Sequence, residues 1–190
     1  MRAKDNPFSS DQIESLPYRF TEGNWETFIE KLAENNFRGS IIGPEGSGKS
    51  TFLQTLSEEL SERGFDCTLH AYVPGFGKDP IAFVRLLSSQ ANSETVVLLD
   101  GADHLPKSAF TMLERLSRHW KGLVVTSHEK VLIQELWRCE TDPVLFEQLV
   151  SALTSSHSLK NQAANAFEHA SGNVREAFLS LYDRASELKH

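Results

Sequence analysis

Nine consecutive residues, Gly43-Pro44-Glu45-Gly46-Ser47-Gly48-Lys49-Ser50-Thr51, carry the strongest chemical signal in the chain. Their spacing is G-x-x-x-x-G-K-[ST], that of a phosphate-cradling loop. Glycines let backbone N–H groups curl round phosphate oxygens with no Cβ in the way. A helix opening behind the loop turns its free amides and dipole toward the anion. Lys49 is expected to reach the β- and γ-phosphates of a nucleotide, and Ser50 to place its hydroxyl on Mg²⁺. By chance the pattern arises in roughly one chain per hundred of this length. Context strengthens it, because an apolar run precedes the loop and an amphipathic pattern follows.

A second signal lies at Thr95-Val96-Val97-Leu98-Leu99-Asp100, an apolar strand ending in a carboxylate. Beside a phosphate loop, Asp100 is the expected acid on the Mg²⁺ side of the site. Alone, a strand followed by a turn aspartate is common. A fourth strand, 123–125, ends in Thr126-Ser127-His128. Thr126 is the candidate polar sensor, and His128 reads as a surface histidine.

These motifs resemble AAA+-type and STAND-type P-loop ATPases, with Walker A at 43–51 and Walker B ending at Asp100. Many AAA+ members read Asp-Glu-Ala-Asp after this strand, and the glutamate activates water. This chain reads Asp100-Gly101-Ala102-Asp103, so that glutamate is missing. The NACHT group of STAND proteins is similar here, with a small residue after the first aspartate and an acid three places on. That likeness implies Asp103 as the substitute base; the alternative is an ordinary residue on the approach to a helix.

Gly172-Asn173-Val174-Arg175 resembles the sensor 2 region of AAA+ lids, which implies that Arg175 reaches the γ-phosphate. Trp137-Arg138-Cys139 is similar to the Ser-Arg-Cys of clamp loaders, whose arginine completes a neighbour's site. Arg138 is therefore a candidate finger, or else simply a basic residue at a helix C-terminus. Pro17-Tyr18-Arg19-Phe20 lies where related ATPases contact adenine. The arm carrying Asn6-Pro7-Phe8 is also similar to secretion-associated ATPases of the ExeA type.

The surrounding pattern supplies elements to hold these residues. Strands are expected at 40–42, 67–73, 95–99 and 123–125. Helices are expected from Trp25, from Lys49, from Asp79-Pro80, from Pro106 and over 131–137. Strands alternating with helices imply a parallel sheet covered on both faces, a three-layer αβα core. After Cys139 the pattern is helical only, in three segments, the last carrying Val174, Ala177, Phe178, Leu181, Ala185 and Leu188. The expected organisation is an N-terminal arm over 1–24, a P-loop α/β core over 25–139 and an all-α lid over 140–190. Residues 5–23, with Pro7, Pro17 and Gly23, read as an arm laid over a domain rather than part of a core.

Composition bounds the rest. The 190 residues are 39% hydrophobic and 24% charged, ordinary for a globular protein. The longest apolar run, 96–99, is too short to cross a bilayer, and the N-terminus has no apolar signal region. Two cysteines make neither a disulfide framework nor a zinc site, so a reducing cytoplasm is expected. A net charge of −7 argues against autonomous nucleic-acid binding.

The resulting expectation is an ATP-binding AAA+/STAND-like switch with slow or partner-stimulated hydrolysis. Its partner is expected to be another protein or a second copy of itself. Two alternatives stay open: a small-molecule P-loop kinase, and a nucleotide-binding scaffold without turnover. A GTPase is disfavoured, since no Asn-Lys-x-Asp or Thr-Lys-x-Asp base-reading motif occurs.

Overall fold

A computed structural model describes residues 6–75 and 79–187 of the chain. The expected core position Leu188 and the start of the arm at Asp5 lie outside the described residues. The protein divides into two compact units. One is formed by the described residues of 22–43 and 52–138, and the other by those of 1–21, 44–51 and 139–187.

The first unit is built on a five-stranded sheet. Its strands are β1 (Arg38–Ile42), β2 (Asp66–Ala71), β3 (Thr95–Asp100), β4 (Gly122–Ser127) and β5 (Glu135–Arg138), in the order β2-β3-β4-β1-β5. Every pairing is parallel. Strands β3 and β4 are buried along nearly their whole length, as their unbroken β-branched and leucine runs require. Helices α4 (Pro80–Gln90) and α5 (Lys107–Leu116) cover one cluster of core residues, in which Phe83, Val84, Ala109 and Leu113 pack with Val97, Leu99, Leu123 and Val125. Helix α2 (Trp25–Glu34) and α3 (Lys49–Glu62) contribute an aromatic group, with Phe52 lying 4.9 Å from both Trp25 and Phe28.

Capping explains where helices start. The Asn24 side chain accepts from Thr27 N at 3.0 Å, and Asp79 Oδ1 accepts from Ala82 N at 2.8 Å. Pro80, with no N–H to satisfy, takes the first position of α4.

One expected helix is not there. Over 131–137 the sequence spacing suits a helix, yet Glu135–Arg138 is strand β5. Its pairing with β1 slips by one residue: Ser40 aligns with Glu135 and Ile41 with Trp137, leaving Leu136 as the extra residue. Ser40 N donates to Gln134 O at 2.7 Å, which fixes the entry. Leu136 is buried over Gly39, where a Cβ would overlap its side chain. Trp137 joins the aromatic group, 6.5 Å from Phe52. Pairing to β1 outweighs the weak helical spacing, as short apolar runs often permit. Arg138 consequently ends a strand, not a helix.

The second unit contains α1 (Ser10–Glu14), α6 (Pro143–Leu153), α7 (His157–Lys160), α8 (Ala163–His169) and α9 (Val174–Glu187). The middle segment of the expected three after Cys139 is thus split into α7 and α8. Asp142 caps α6, accepting from Leu145 N at 2.7 Å. Rings of Phe146, Phe167 and Phe178 form the centre, with Phe146 and Phe178 at 4.9 Å.

The arm corrects a second expectation, because part of it belongs to this core. Phe8 is 2% exposed and its ring lies 5.9 Å from Phe178. Asn6, buried beside it, donates to Tyr182 O at 2.9 Å and to Ser186 Oγ at 3.1 Å, while its own carbonyl accepts from Phe8 N. No polar atom of that side chain is wasted, as burial demands. Among the described residues no helix is long and apolar enough to cross a membrane. Phe8→Ala should cost about 3–5 kcal/mol of stability, the usual loss for a buried ring. Urea unfolding checks this; a change near zero would mean that the arm merely lies on the surface.

Candidate functional site

The phosphate-loop motif runs on from the end of β1 and into the first turn of α3. Gly46 and Gly48 have φ of +72° and +88°, left-handed values that side-chain-bearing residues resist. Between them Ser47 Oγ donates to Pro44 O at 2.8 Å. Lys49 Nζ also donates to Pro44 O at 2.8 Å, so the ammonium is folded back onto the loop's own backbone. Lys49 is only 9% exposed. Ser50 and Thr51 lie in the first turn of α3, the position from which free amides serve an anion.

Other parts of the same unit close on this loop. A Cβ on Gly46 would overlap the side-chain amide of Asn173, and a Cβ on Gly48 would lie 3.6 Å from the Tyr18 ring. Asn173 is also the cap of α9, accepting from Glu176 N at 3.2 Å. Tyr18, Leu16, Gly48, Thr51, Leu145 and Val174 are among the walls of a cleft enclosing about 470 Å³ of empty space, part of it open to solvent. Most of its lining is apolar, with a few polar groups. Behind Tyr18 lies Cys139. Burial pushes its thiol up to about 11, against a Tyr18 hydrogen bond and the Lys49 charge. Cys139 is therefore protonated at neutral pH and is a packing residue, not a nucleophile.

Of the remaining residues singled out by sequence in this unit, Glu45 and Arg175 are exposed. Arg175 stands in the first turn of α9, one residue from Val174 of the cleft wall. The sequence pointed to Arg175, yet it is Asn173 that presses on the loop. The contact was hidden because it depends on how α9 enters, although the Gly-Asn junction was visible.

The sheet unit holds the other group. Gly43 N donates to Ser127 O at 3.3 Å, tying the start of the loop motif to the end of β4. Asp100, at the end of β3, accepts a 2.5 Å hydrogen bond from Thr126 Oγ1. Thr126 is fully buried, and its hydroxyl also accepts from Gly101 N at 2.8 Å. The threonine therefore positions the Asp100 carboxylate and the turn behind it. Arg138 ends β5 exposed, with Nη2 donating to Glu135 Oε2 at 2.7 Å.

Asp103 sits in the 3-10 turn Ala102–His104. Its Oδ2 lies 2.7 Å from His128 Nδ1 and accepts from His128 N at 3.3 Å. Burial would raise the Asp103 carboxyl, but the hydrogen bonds from His128 win and hold it below the usual carboxylate range. It is an anion at neutral pH, and a weak base. His128 is exposed, as the sequence implied, but it is not idle.

The absent glutamate has a structural cause. Gly101 occupies its place with φ +75°. A Cβ there would stand 2.8 Å from Tyr72 O and 3.2 Å from His104 Cδ2. Backbone strain and a clash with a carbonyl oxygen both act against any side chain. Gly101→Glu should therefore lower stability by about 1–3 kcal/mol and fail to raise ATP hydrolysis. Thermal melting and a phosphate-release assay check it; a faster, equally stable variant would overturn the assignment.

No family model matches the chain, and no curated protein matches its sequence. Solved structures do resemble it. AMPPCP-bound DnaA from Aquifex aeolicus has a TM-score of 0.57 at 15% identity, over 84% of this chain and 61% of that one. The replication initiator DnaA bound to AMPPCP and single-stranded DNA has 0.56 at 14%, over 89% and 62%. A DNA replication initiation factor has 0.54 at 15%, over 93% and 66%. The chain thus spans about three-fifths to two-thirds of the length of these proteins. At such identity the likeness concerns the fold alone: an α/β unit with strand order 2-3-4-1-5 and a helical region, as these structures have it.

Proposed function

We propose that the chain is an ATP-binding AAA+-type module. It couples Mg·ATP binding, and slow or partner-stimulated hydrolysis to ADP and phosphate, to a conformational or assembly switch. The observation that carries this reading is the loop 43–51, whose Gly46 and Gly48 take left-handed φ values while Tyr18 and Asn173 stand against it. Two of the similar structures bind AMPPCP, which supports a triphosphate as the ligand.

The residues divide the work by chemistry. Amides of Gly46, Gly48 and Lys49 would hold phosphate oxygens, with that of Ser47 joining them by leaving Pro44 O. The Lys49 ammonium would exchange Pro44 O for the β- and γ-phosphates. The mostly apolar cleft beside Tyr18 is the proposed place for the edge of the base. Hard oxygen donors fit Mg²⁺, and the proposed ligands are the Ser50 hydroxyl and the Asp100 carboxylate. Mg²⁺, when bound, would neutralise charge on the transferring phosphoryl group.

Asp103 is the proposed proton acceptor for water. Its lowered basicity and the missing glutamate both favour a slow intrinsic rate. Thr126 acts as a sensor by holding Asp100. Arg175 is the proposed γ-phosphate sensor, a cation on the helix whose cap touches the loop. Arg138 would serve a neighbouring copy as a finger once released from Glu135. The strand end Asp100-Gly101-Ala102-Asp103 keeps the likeness to STAND proteins. The acidic charge disfavours autonomous DNA binding, so the proposed partner is a protein or a second copy, in the cytoplasm.

Lys49→Ala should weaken Mg·ATP binding at least about tenfold, since it removes charge-assisted bonds to the phosphates. Equilibrium titration with a fluorescent ATP analogue reads this, and unchanged affinity would sink the reading. The hydrolysis rate per protomer should rise with protein concentration, and Arg138→Ala should abolish the rise. A flat rate near zero would favour the scaffold alternative. Phosphate transfer to a small acceptor would favour a kinase.

A further inference from the structure

The turn after β3 and the end of β4 gather a second donor set. Asp103, His104 and His128 each offer one ligating atom, and these atoms lie within 4.8 Å of one another. All three residues are exposed. The two imidazole rings are 5.8 Å apart, and Asp103 Oδ2 is already 2.7 Å from His128 Nδ1. The backbone beneath them is fixed. Gly101 N is held by Thr126 Oγ1, His104 N donates to Gly101 O at 3.1 Å, and His128 N donates to Asp103.

We propose that Asp103, His104 and His128 form a surface site for a divalent transition-metal ion of the zinc class, separate from the Mg²⁺ of the nucleotide site. Two imidazoles and a carboxylate suit Zn²⁺, Co²⁺ or Ni²⁺, whereas Mg²⁺ demands oxygen ligands and dehydrates reluctantly. Zinc bonds of about 2.0–2.2 Å to nitrogen and oxygen require the widest pair of the three atoms to draw closer and the hydrogen-bonded Asp103 and His128, 2.7 Å apart, to separate. Exposed side chains on a fixed turn can do this by rotating, with no backbone movement. Three protein ligands leave a fourth position for water. An occupied site takes the Asp103 carboxylate away from water activation, so zinc should slow hydrolysis. That corollary rests on the base assignment above; the site itself does not.

The test uses the full chain without nucleotide, titrated with Zn²⁺ against a chromophoric chelator and with Co²⁺ by visible absorption. One equivalent per chain is expected, with Co²⁺ bands free of thiolate charge transfer. His104→Ala and His128→Ala should each weaken Zn²⁺ at least about tenfold. His119→Ala, an exposed histidine outside the cluster, should leave the affinity unchanged. In the unsubstituted protein, Zn²⁺ should shift the imidazole NMR signals of His104 and His128 ahead of the other histidines. Absence of stoichiometric binding, a thiolate band, shifts at other histidines first, or binding that survives both substitutions would overturn the site. Stoichiometric binding that leaves ATP hydrolysis untouched would overturn the base role of Asp103 and leave the site standing.

Discussion

Parallel hydrogen bonding from β2 through to β5 forces each strand to return across a face of the sheet before the next can begin. The C-terminal ends of the strands therefore gather along one edge. Ala71 pairs with Asp100, Leu99 with Val125, and Ile42 with both Ser127 and Arg138. The interior of the strands must be apolar because both faces are covered, so polar chemistry is expelled to that edge. Gly43, Asp100, Asp103, Thr126 and Arg138 all follow from this one constraint. So does the proximity of His128 to Asp103, since each lies just beyond a strand end.

The edge is held by few bonds, and these are interdependent. The Thr126 hydroxyl is both donor to Asp100 and acceptor from Gly101 N, so one buried group sets a carboxylate and a turn together. The turn in its left-handed conformation leaves no room for a side chain at Gly101, and Asp103 follows just beyond it. Asp103 is then paired with His128 and held ionised.

The helical unit obeys a different logic. Its centre is aromatic, and Phe8 from the arm completes it, so the first described residues are structural. The cap of α9 does double service. Asn173 satisfies a free amide of the helix and packs against Gly46 of the loop. A residue chosen for one of these duties constrains the other.

Much of this was legible in the sequence. The loop is local chemistry written in nine consecutive residues. Asp79-Pro80 and Asp142-Pro143 are local caps, and β3 is an apolar run too uniform to be anything exposed. Each depends on neighbours in the chain and so survives translation from sequence to structure. The tertiary structure alone decided the rest. Residues 131–137 have helical spacing, but β5 forms because β1 offers an open edge and Gly39 leaves room for Leu136. Phe8 looks like a loop residue until Phe178 and Phe146 surround it. Asp103, His104 and His128 span 25 positions and become one cluster only when β3 and β4 end side by side. Local propensity specifies caps, loops and strands; contacts between distant residues are fixed by pairing and burial, which the sequence encodes only collectively.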